Sequence, residues 1–423
     1  MAGQTNAMVD ALQLERVLPR MRTLFDREHR FCDSVQKKPA EKVSKRDMRV
    51  PLEIRDGGKP GHFDPSFGDM GRGGGITYEK ALVAVTYHKH GVEWSSESEW
   101  ATDDNKQAIA SNMAEALAKQ LDNFKRYLDS LLMTDGTGTI GTISAISVGG
   151  GVGGGDRVTL GTDGFGARLT RFGYNLNVYS STLAANRTLG AEREVVYHDG
   201  PGKQIDLSAP SVAGMVVGDK LVVSGLTATP PSSLLGVPYH HSNASTGTWL
   251  GLSRVTNPEI RANRVAAGGP LALPFARLAV NKIGDRVGVY GKKLVVWGHP
   301  CQADAYEQLG TLVTQLAQMP NEGKLNMYFN PDSMQMAGVP LKLSYSWDKT
   351  RLDFVTDSWA RSEIKALDYY KDKNGRKIFE LRSPVSGAPI AGWIFYFVYG
   401  CQYYVQNPAE CSYIDTLSVP SGY

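Results

Sequence analysis

Residues 103–133, DDNKQAIASNMAEALAKQLDNFKRYLDSLLM, decide how the rest of the chain is read. Ile109, Met113, Leu117, Leu121, Phe124, Leu128 and Leu132 recur every three or four positions, the period of one helix face. Thr102 and Asp103 can cap the start, and Gly136 supplies a stop. At 1.5 Å per residue the predicted helix runs roughly 45 Å. Lys106, Lys119, Asp122, Lys125, Arg126 and Asp129 fall off the apolar stripe, so the expectation is a long rod with one buried stripe. The paired acids Glu97/Glu99 and Asp103/Asp104 stand before it, where carboxylates complement the helix dipole. Trp94 and Trp100 read as packing anchors, since no basic track links them into a base-stacking platform.

Upstream of the rod the pattern switches to a period of two. Asp47 to Ile54 alternates apolar with polar, and so does Ile76 to His90, with Ala81, Val83, Val85 and Tyr87 assigned to one face. Between them lies RDGGKPGHFDPSFGDMGRGGG, residues 55–75, whose glycines leave it unable to build a core of its own. This is a long two-stranded ribbon with little to pack against in its own chain, and it makes sense if the partner is another subunit. Before the ribbon, Val9, Leu12, Leu14, Val17, Leu18, Met21 and Leu24 form an amphipathic arm interrupted by Pro19. From 10 to 49 eleven basic residues face seven acids, so this segment holds the positive excess of a chain whose net charge is +3. A solvated helix face explains that charge, and so does an arm lying on a neighbour or on packaged DNA.

Downstream, GGGVGGG (149–155) opens a stretch of short strands: Arg157–Leu160, Leu176–Tyr179, Glu194–His198, Gln204–Leu207 and Lys220–Val223. Turn residues separate them, which predicts a small β-barrel or sandwich inserted between two larger pieces. From about 256 the chain reads as mixed α/β. Helices are expected over Leu273–Val287 and Asp304–Gln318, and strands over Lys293–Trp297, Leu341–Ser346, Leu352–Thr356 and Ile378–Leu381. Gly392–Val405 is so apolar that periodicity cannot separate a strand from a buried helix.

Composition excludes several functions. At 423 residues, 42% hydrophobic and 21% charged, the chain is ordinary globular material for two or three domains. The most apolar run, Trp393 to Tyr399, is far shorter than the roughly 20 residues of a membrane helix. Cys32, Cys301, Cys401 and Cys411 form no C-x-x-C pair and fit a reducing cytoplasm, with a Cys401–Cys411 disulfide as the alternative. Walker, nucleophile-elbow and H-E-x-x-H patterns are absent. Adjacent His240 and His241 cannot share a metal without a distant third ligand, and are expected in a surface loop. His88 and His90 are expected to face solvent. No catalytic residues, metal or cofactor are assigned.

The order of these parts (basic arm, glycine-tipped ribbon, isolated long helix, β-insertion, mixed α/β, strand-rich end) resembles the HK97-type major capsid protein of tailed double-stranded DNA bacteriophages. Three segments carry the likeness: LLMTDGTG (131–138) as the exit from the spine helix, LGLSRVTNPEIRAN (250–263) as the crossing into the axial domain, and Phe165 to Gly225 as the β-insertion. The resemblance implies an α+β, HK97-like capsid fold with N-arm, E-loop β-ribbon, peripheral (P) domain with its spine helix and axial (A) domain, plus an inserted β-barrel or sandwich domain. Its parts would be the arm at 1–38, the E-loop at 39–90, the peripheral domain at 91–136, the insertion at 137–252, the axial domain at 253–385, and strands at 386–423 returning to the peripheral domain. It implies self-assembly of hexamers and pentamers into an icosahedral virion shell, made in the bacterial cytoplasm. Expected partners are other copies, a portal, a decoration protein, packaged DNA held non-specifically at the inner face, and no membrane. Because the arm starts close to Met1, a scaffold is expected as a separate protein. Candidate assembly contacts are Arg16, Arg20, Arg22, Arg55, Lys59, Phe63, Phe67 and Arg72. Some family members crosslink a loop lysine to a neighbour's asparagine, which here points to Lys59, Asn407 and Glu410, although a lysine in a soluble loop is the plainer reading. An encapsulin shell, a β-rich tail, fibre or surface protein, and an enzyme with an unread site are the alternatives.

Overall fold

The long helix predicted over 103–133 spans Lys106–Leu132 in the computed structural model. The structure describes residues 29–39, 41–42, 47–55, 57–58, 62, 73–95, 106–161, 164–188, 191–226, 228, 230–288, 293–316, 335–383 and 386–422. Ahead of that helix come α1 (Arg30–Gln36), β1 (Glu41–Lys42), β2 (Asp47–Arg55), β3 (Thr77–Ala84) and β4 (Thr86–Ser95). The long helix is therefore α2. β2 and β3 pair antiparallel from Asp47↔Ala84 to Arg55↔Thr77, which is the predicted ribbon. The alternation expected to run on to Tyr87 breaks, however. Ala81, Val83 and Val85 are buried, but Tyr87 is exposed and His88 buried. Between Ala84 and Thr86 the chain leaves the ribbon and joins a different sheet, and that step reverses which face is inward. The ribbon also has more to pack against than expected. Ile54, Ala81 and Val83 form a small core with Trp249, Leu250, Leu252 and Ile260 of the same chain.

All five strands predicted in the insertion are present, joined by a sixth. β5 (Thr139–Ser147), β6 (Arg157–Leu160), β7 (Asn175–Tyr179), β8 (Arg193–Asp199), β9 (Gln204–Leu207) and β10 (Lys220–Val223) close into a barrel in the order β10-β5-β6-β9-β8-β7. Alternation supplies its filling: Val158, Leu160, Val178, Val195, Ile205 and Leu221 are buried. Asp206, itself buried, receives two hydrogen bonds from Arg157 at 2.7 and 2.8 Å and one from the Val152 N–H at 2.9 Å. Those bonds hold its carboxyl below the usual range.

The second half follows the barrel. α3 (Val237–His240), β11 (Thr248–Trp249), β12 (Leu252–Ser253), β13 (Asn263–Gly269), α4 (Leu273–Val287), β14 (Val295–Gly298), α5 (Pro300–Leu316), β15 (Gln335–Met336), β16 (Val339–Leu343), β17 (Leu352–Val355), β18 (Trp359–Tyr369), β19 (Ile378–Arg382), β20 (Pro389–Val405) and β21 (Ser412–Leu417) complete the chain. A six-stranded sheet runs β13-β21-β17-β14-β16-β15. α4 lays Ala276, Ala279 and Ile283 into the same core as Val265, Ile414 and Leu417 of that sheet. A five-stranded sheet runs β1-β18-β20-β19, with β4 also paired to β20. The ambiguous run Gly392–Val405 is thus a strand, and its C-terminal half is buried on both faces, which removes the alternation that would have identified it. One continuous core unites α1, α2, the barrel interior, β20 and three tryptophans, Trp297, Trp347 and Trp359.

The exit of α2 shows how tightly barrel and rod are joined. Gly136 takes φ +91°, a left-handed turn that a side chain would resist. Gly236, at the start of α3, lies against the carbonyl oxygens of Leu132 and Thr134, where a Cβ would have no room. Gly236→Ala is expected to cost about 1–3 kcal/mol. A urea midpoint unchanged from the parent would show that this junction relaxes around a methyl group.

Candidate assembly surfaces and the buried junction beneath them

Of the predicted contact residues, the structure places Arg55. It ends β2, and its Nη2 donates to the Thr256 carbonyl at 2.7 Å. This anchors the base of the ribbon to the 250–263 stretch, as does the Leu82 N–H on the Leu250 carbonyl at 2.8 Å. Arg16, Arg20, Arg22, Lys59, Phe63, Phe67 and Arg72 lie outside the described residues. The ribbon face turned away from the chain carries Tyr78 (63% exposed) and Leu82 (42%), with Tyr87 exposed just beyond. An apolar face of this kind on a two-stranded ribbon is suited to a contact that the single chain does not make.

Asn407 and Glu410 occupy a 3-10 turn after β20. The Asn407 Oδ1 accepts from the Ala409 N–H at 3.1 Å, and its Nδ2 donates to Glu410 Oε1 at 3.1 Å. Both ends of the amide are therefore engaged in capping this turn.

Two histidine expectations are overturned. His240 and His241 do not sit in a surface loop; both are buried completely. They do point apart, as adjacent residues should, but into different parts of the interior. His240 Nε2 donates to the Tyr403 carbonyl at 3.2 Å, while Nδ1 accepts from the Trp249 indole at 3.1 Å. Burial pushes its pKa down to about 3, so the ring is neutral. His241 Nδ1 lies 2.9 Å from Asp353 Oδ1. Burial opposes a charge on this ring, but the Cys411 sulfur and the Asp353 carboxylate beside it prevail and raise its pKa to about 9. The Trp359 indole N–H, 3.3 Å from His241 Nε2, needs a neutral ring to donate to. The carboxylate, closer and charged, prevails, and the Trp359 ring meets the cationic imidazole edge-on, centroids 5.8 Å apart. Asp353 also accepts from Arg351 Nη2 at 2.7 Å and from the Trp347 indole at 3.0 Å. Segments around 240, 350, 359 and 411 thus meet at one buried ionic centre.

His88 and His90 are not solvent-facing either. His88 is buried, 2.9 Å from the Thr86 hydroxyl, and burial lowers its pKa to about 4. His90 stacks on Phe124 of α2 with centroids 5.9 Å apart and bonds Gln120 at 3.0 Å. Both sit where β4 crosses α2. Arg126 and Asp129, assigned off the apolar stripe, are buried as well. The Asp129 Oδ1 accepts the Cys32 N–H at 2.8 Å and so docks α1 onto α2. The sequence signal for this was faint, a single carboxylate one turn from the end of the stripe.

Among the described residues no three His, Cys, Asp or Glu side chains could together hold a metal ion, and no helix is long and apolar enough to cross a membrane. The four cysteines are free and buried.

No protein-family model and no curated protein matches the chain. Solved structures do. A chain of the cyanophage A-1(L) capsid asymmetric unit is similar with a TM-score of 0.59 at 13% identity, covering 98% of this chain and 99% of that one. Chains from Microbacterium phage Oxtober96 (TM-score 0.49, 10% identity, 98% and 99% covered) and from the capsid of the native GTA particle (TM-score 0.48, 12% identity, 96% and 96% covered) are also similar. The chain has the fold of a phage capsid subunit, of the HK97-like kind that its order of parts resembles.

Proposed function

We propose that this chain is the major capsid protein of a tailed bacteriophage, a structural subunit that self-assembles as hexamers and pentamers into an icosahedral shell around double-stranded DNA. The observation that carries the reading is the end-to-end likeness to the cyanophage capsid chain, which covers 98% of this chain and 99% of that one. In this reading 1–38 is the arm, 39–90 the E-loop, 91–136 the peripheral domain with α2 as its spine, 137–252 the insertion, 253–385 the axial domain and 386–423 the returning strands. Arg55, with Arg16, Arg20, Arg22, Lys59, Phe63, Phe67 and Arg72, contacts neighbouring copies, and the basic arm meets DNA at the inner face. A separate scaffold, a portal and a decoration protein complete the particle. Assembly takes place in the host cytoplasm. The engaged Asn407 amide supports a capping role for that residue over a crosslink to Lys59.

The physical logic favours weak, repeated contacts. One contact of about −4 kcal/mol corresponds to roughly millimolar affinity, so misplaced subunits can leave. A subunit held by several neighbours gains about 10²–10⁴ in avidity, so the closed shell persists. The glycine-rich ribbon tip lets identical chains meet in slightly different geometries. Electron microscopy of the purified protein tests the reading, with closed or partial shells expected. Deleting residues 57–74 is expected to leave a folded subunit that closes no shells, because the ribbon core at Ile54, Ala81 and Val83 survives while the tip is lost. Normal particles from that deletion would refute the role given to the tip. A small discrete oligomer with a filled pocket from the parent chain would refute the capsid reading itself.

A further inference from the structure

A cleft of about 790 Å³ opens where the middle of α2 faces the barrel. Gln120, Asn123, Arg126 and Tyr127 form its α2 wall. Arg171 to Asn175 and Val196 to His198 stand opposite, and Lys89 and His90 of β4 contribute as well. Its charge is one-sided. Lys89, Arg126 and Arg171 line it, whereas no Asp or Glu is among the described lining residues.

Arg126 is the most buried of the three cations. It is 4% exposed, its Nη2 donates to the Arg168 carbonyl at a long 3.4 Å, and its Nε has no hydrogen-bond partner. A buried guanidinium facing a carbonyl, with no carboxylate in its cleft, is costly for the isolated chain. Neighbouring groups register the same positive field. His198 is pushed down first by burial and then by Arg171 and Arg126. At Tyr174 burial raises the phenol while the same two guanidiniums oppose the rise. Beside the cations the cleft offers apolar surface, with Phe172 69% exposed and Tyr197 39% exposed.

We propose that this cleft is a docking site for an acidic peptide segment of a partner protein, whose carboxylates pair with Arg126, Arg171 and Lys89 while an apolar side chain lies against Phe172 and Tyr197. Charge complementarity fixes the sign of the occupant, and Arg126, lining the cleft together with Arg171, marks where its first carboxylate sits. A nucleic-acid strand fits less well. It presents a phosphate at every nucleotide and is tracked by an extended row of cations with bases stacked on successive rings. Here three cations are gathered in one cleft, and Tyr127 and Tyr174 are already packed edge to face on each other, centroids 5.7 Å apart.

The test uses the full chain, in whatever assembly it purifies, and fluorescence anisotropy. Three labelled probes are titrated: the peptide Glu-Glu-Tyr-Glu-Glu, its amide counterpart Gln-Gln-Tyr-Gln-Gln, and a short oligothymidylate. The acidic peptide is expected to bind at least about 10-fold more tightly than the amide peptide, with the gap narrowing as salt screens the cleft. Lys89→Glu changes an exposed strand position and leaves the core intact. It is expected to weaken the acidic peptide about 5-fold or more. Arg126→Met is expected to abolish the preference for carboxylates over amides, with circular dichroism confirming the fold. Equal binding of the two peptides, no binding of either, or an unaltered affinity in Lys89→Glu would each overturn the proposal. Oligothymidylate binding as tightly as the acidic peptide would overturn it in favour of a nucleic-acid groove.

Discussion

Phe31→Ala is expected to lower stability by about 3–5 kcal/mol, at the upper end for a single core truncation. Phe31 is the anchor of α1. Its ring stands edge-on to Trp297, Trp347 and Trp359, with each centroid 5.3 Å away and interplanar angles of 86°, 76° and 85°. Edge-to-face pairs add to plain burial, and three such pairs converge here. Removing the ring leaves a void walled by rigid indoles, two of which, Trp297 and Trp347, already stack on each other at 5.7 Å. A helix of seven residues has no stability of its own, so α1 depends on this plug and on the Cys32–Asp129 hydrogen bond. Loss of the plug should therefore free α1 as a unit. Urea denaturation followed by tryptophan emission checks both effects, since the same indoles report the cavity. A loss under about 1 kcal/mol would mean that the tryptophans collapse into the gap and that α1 is held elsewhere.

Phe31 also marks the point at which the sequence stops being legible. The elements with a regular pattern were readable. α2 lies within 103–133, α4 covers Leu273–Val287 as predicted, and the five predicted strands of the six-stranded barrel are present. The order of parts is likewise that of a capsid fold, which the structure shares. The residues whose surroundings differ from expectation are polar ones with partners distant in sequence. His241 looked like loop material because its partner, Asp353, is more than a hundred residues away. Arg126 and Asp129 looked like solvated helix charges because a helical wheel cannot know that α1 and the barrel cover that side. β21 and β18 were missed because neither alternates cleanly: β18 buries only Trp359 and Ser362 outright, and β21 buries Ser412 and Tyr413 in succession. Periodicity reports only the face an element buries against its first layer, and the junctions between layers are written in contacts that periodicity does not contain. The candidate surface suffers from the same limit. Its location followed from the glycine-rich tip, but the acid-free cleft beside α2 draws its residues from β4, α2 and the barrel, and no local pattern announces it.

Asp353→Ala should be more damaging than its position outside any catalytic site suggests, with an expected loss of about 3–5 kcal/mol. The carboxylate is buried between His241 and Arg351, and removing it leaves two buried cations facing each other without a counter-charge. The parent chain should show the same dependence through pH. Burial tends to raise the Asp353 pKa, but Arg351 and then His241 overcome this and hold it below the ordinary carboxyl value of 3.8. Its contribution is thus present above 3.8 and is lost as pH falls through the depressed folded value. His241 runs the other way. Its folded pKa of about 9 lies above the ordinary 6.5, so its contribution is complete below 6.5 and is lost as pH rises through about 9. The ionic centre is therefore strongest between those limits, and unfolding free energy should decline from pH 7 toward pH 9.5. His241→Gln keeps a polar side chain but cannot titrate, so it should lower stability at pH 6.5 and flatten that alkaline decline. Urea midpoints of the parent and His241→Gln across this range separate the outcomes. Parallel curves would show that the ring is neutral and held by the Trp359 indole, and the alkaline weakness would then have to arise elsewhere. Converging curves would place it at the contact that joins α3 to β17, the seam between the rod-and-barrel half and the six-stranded sheet.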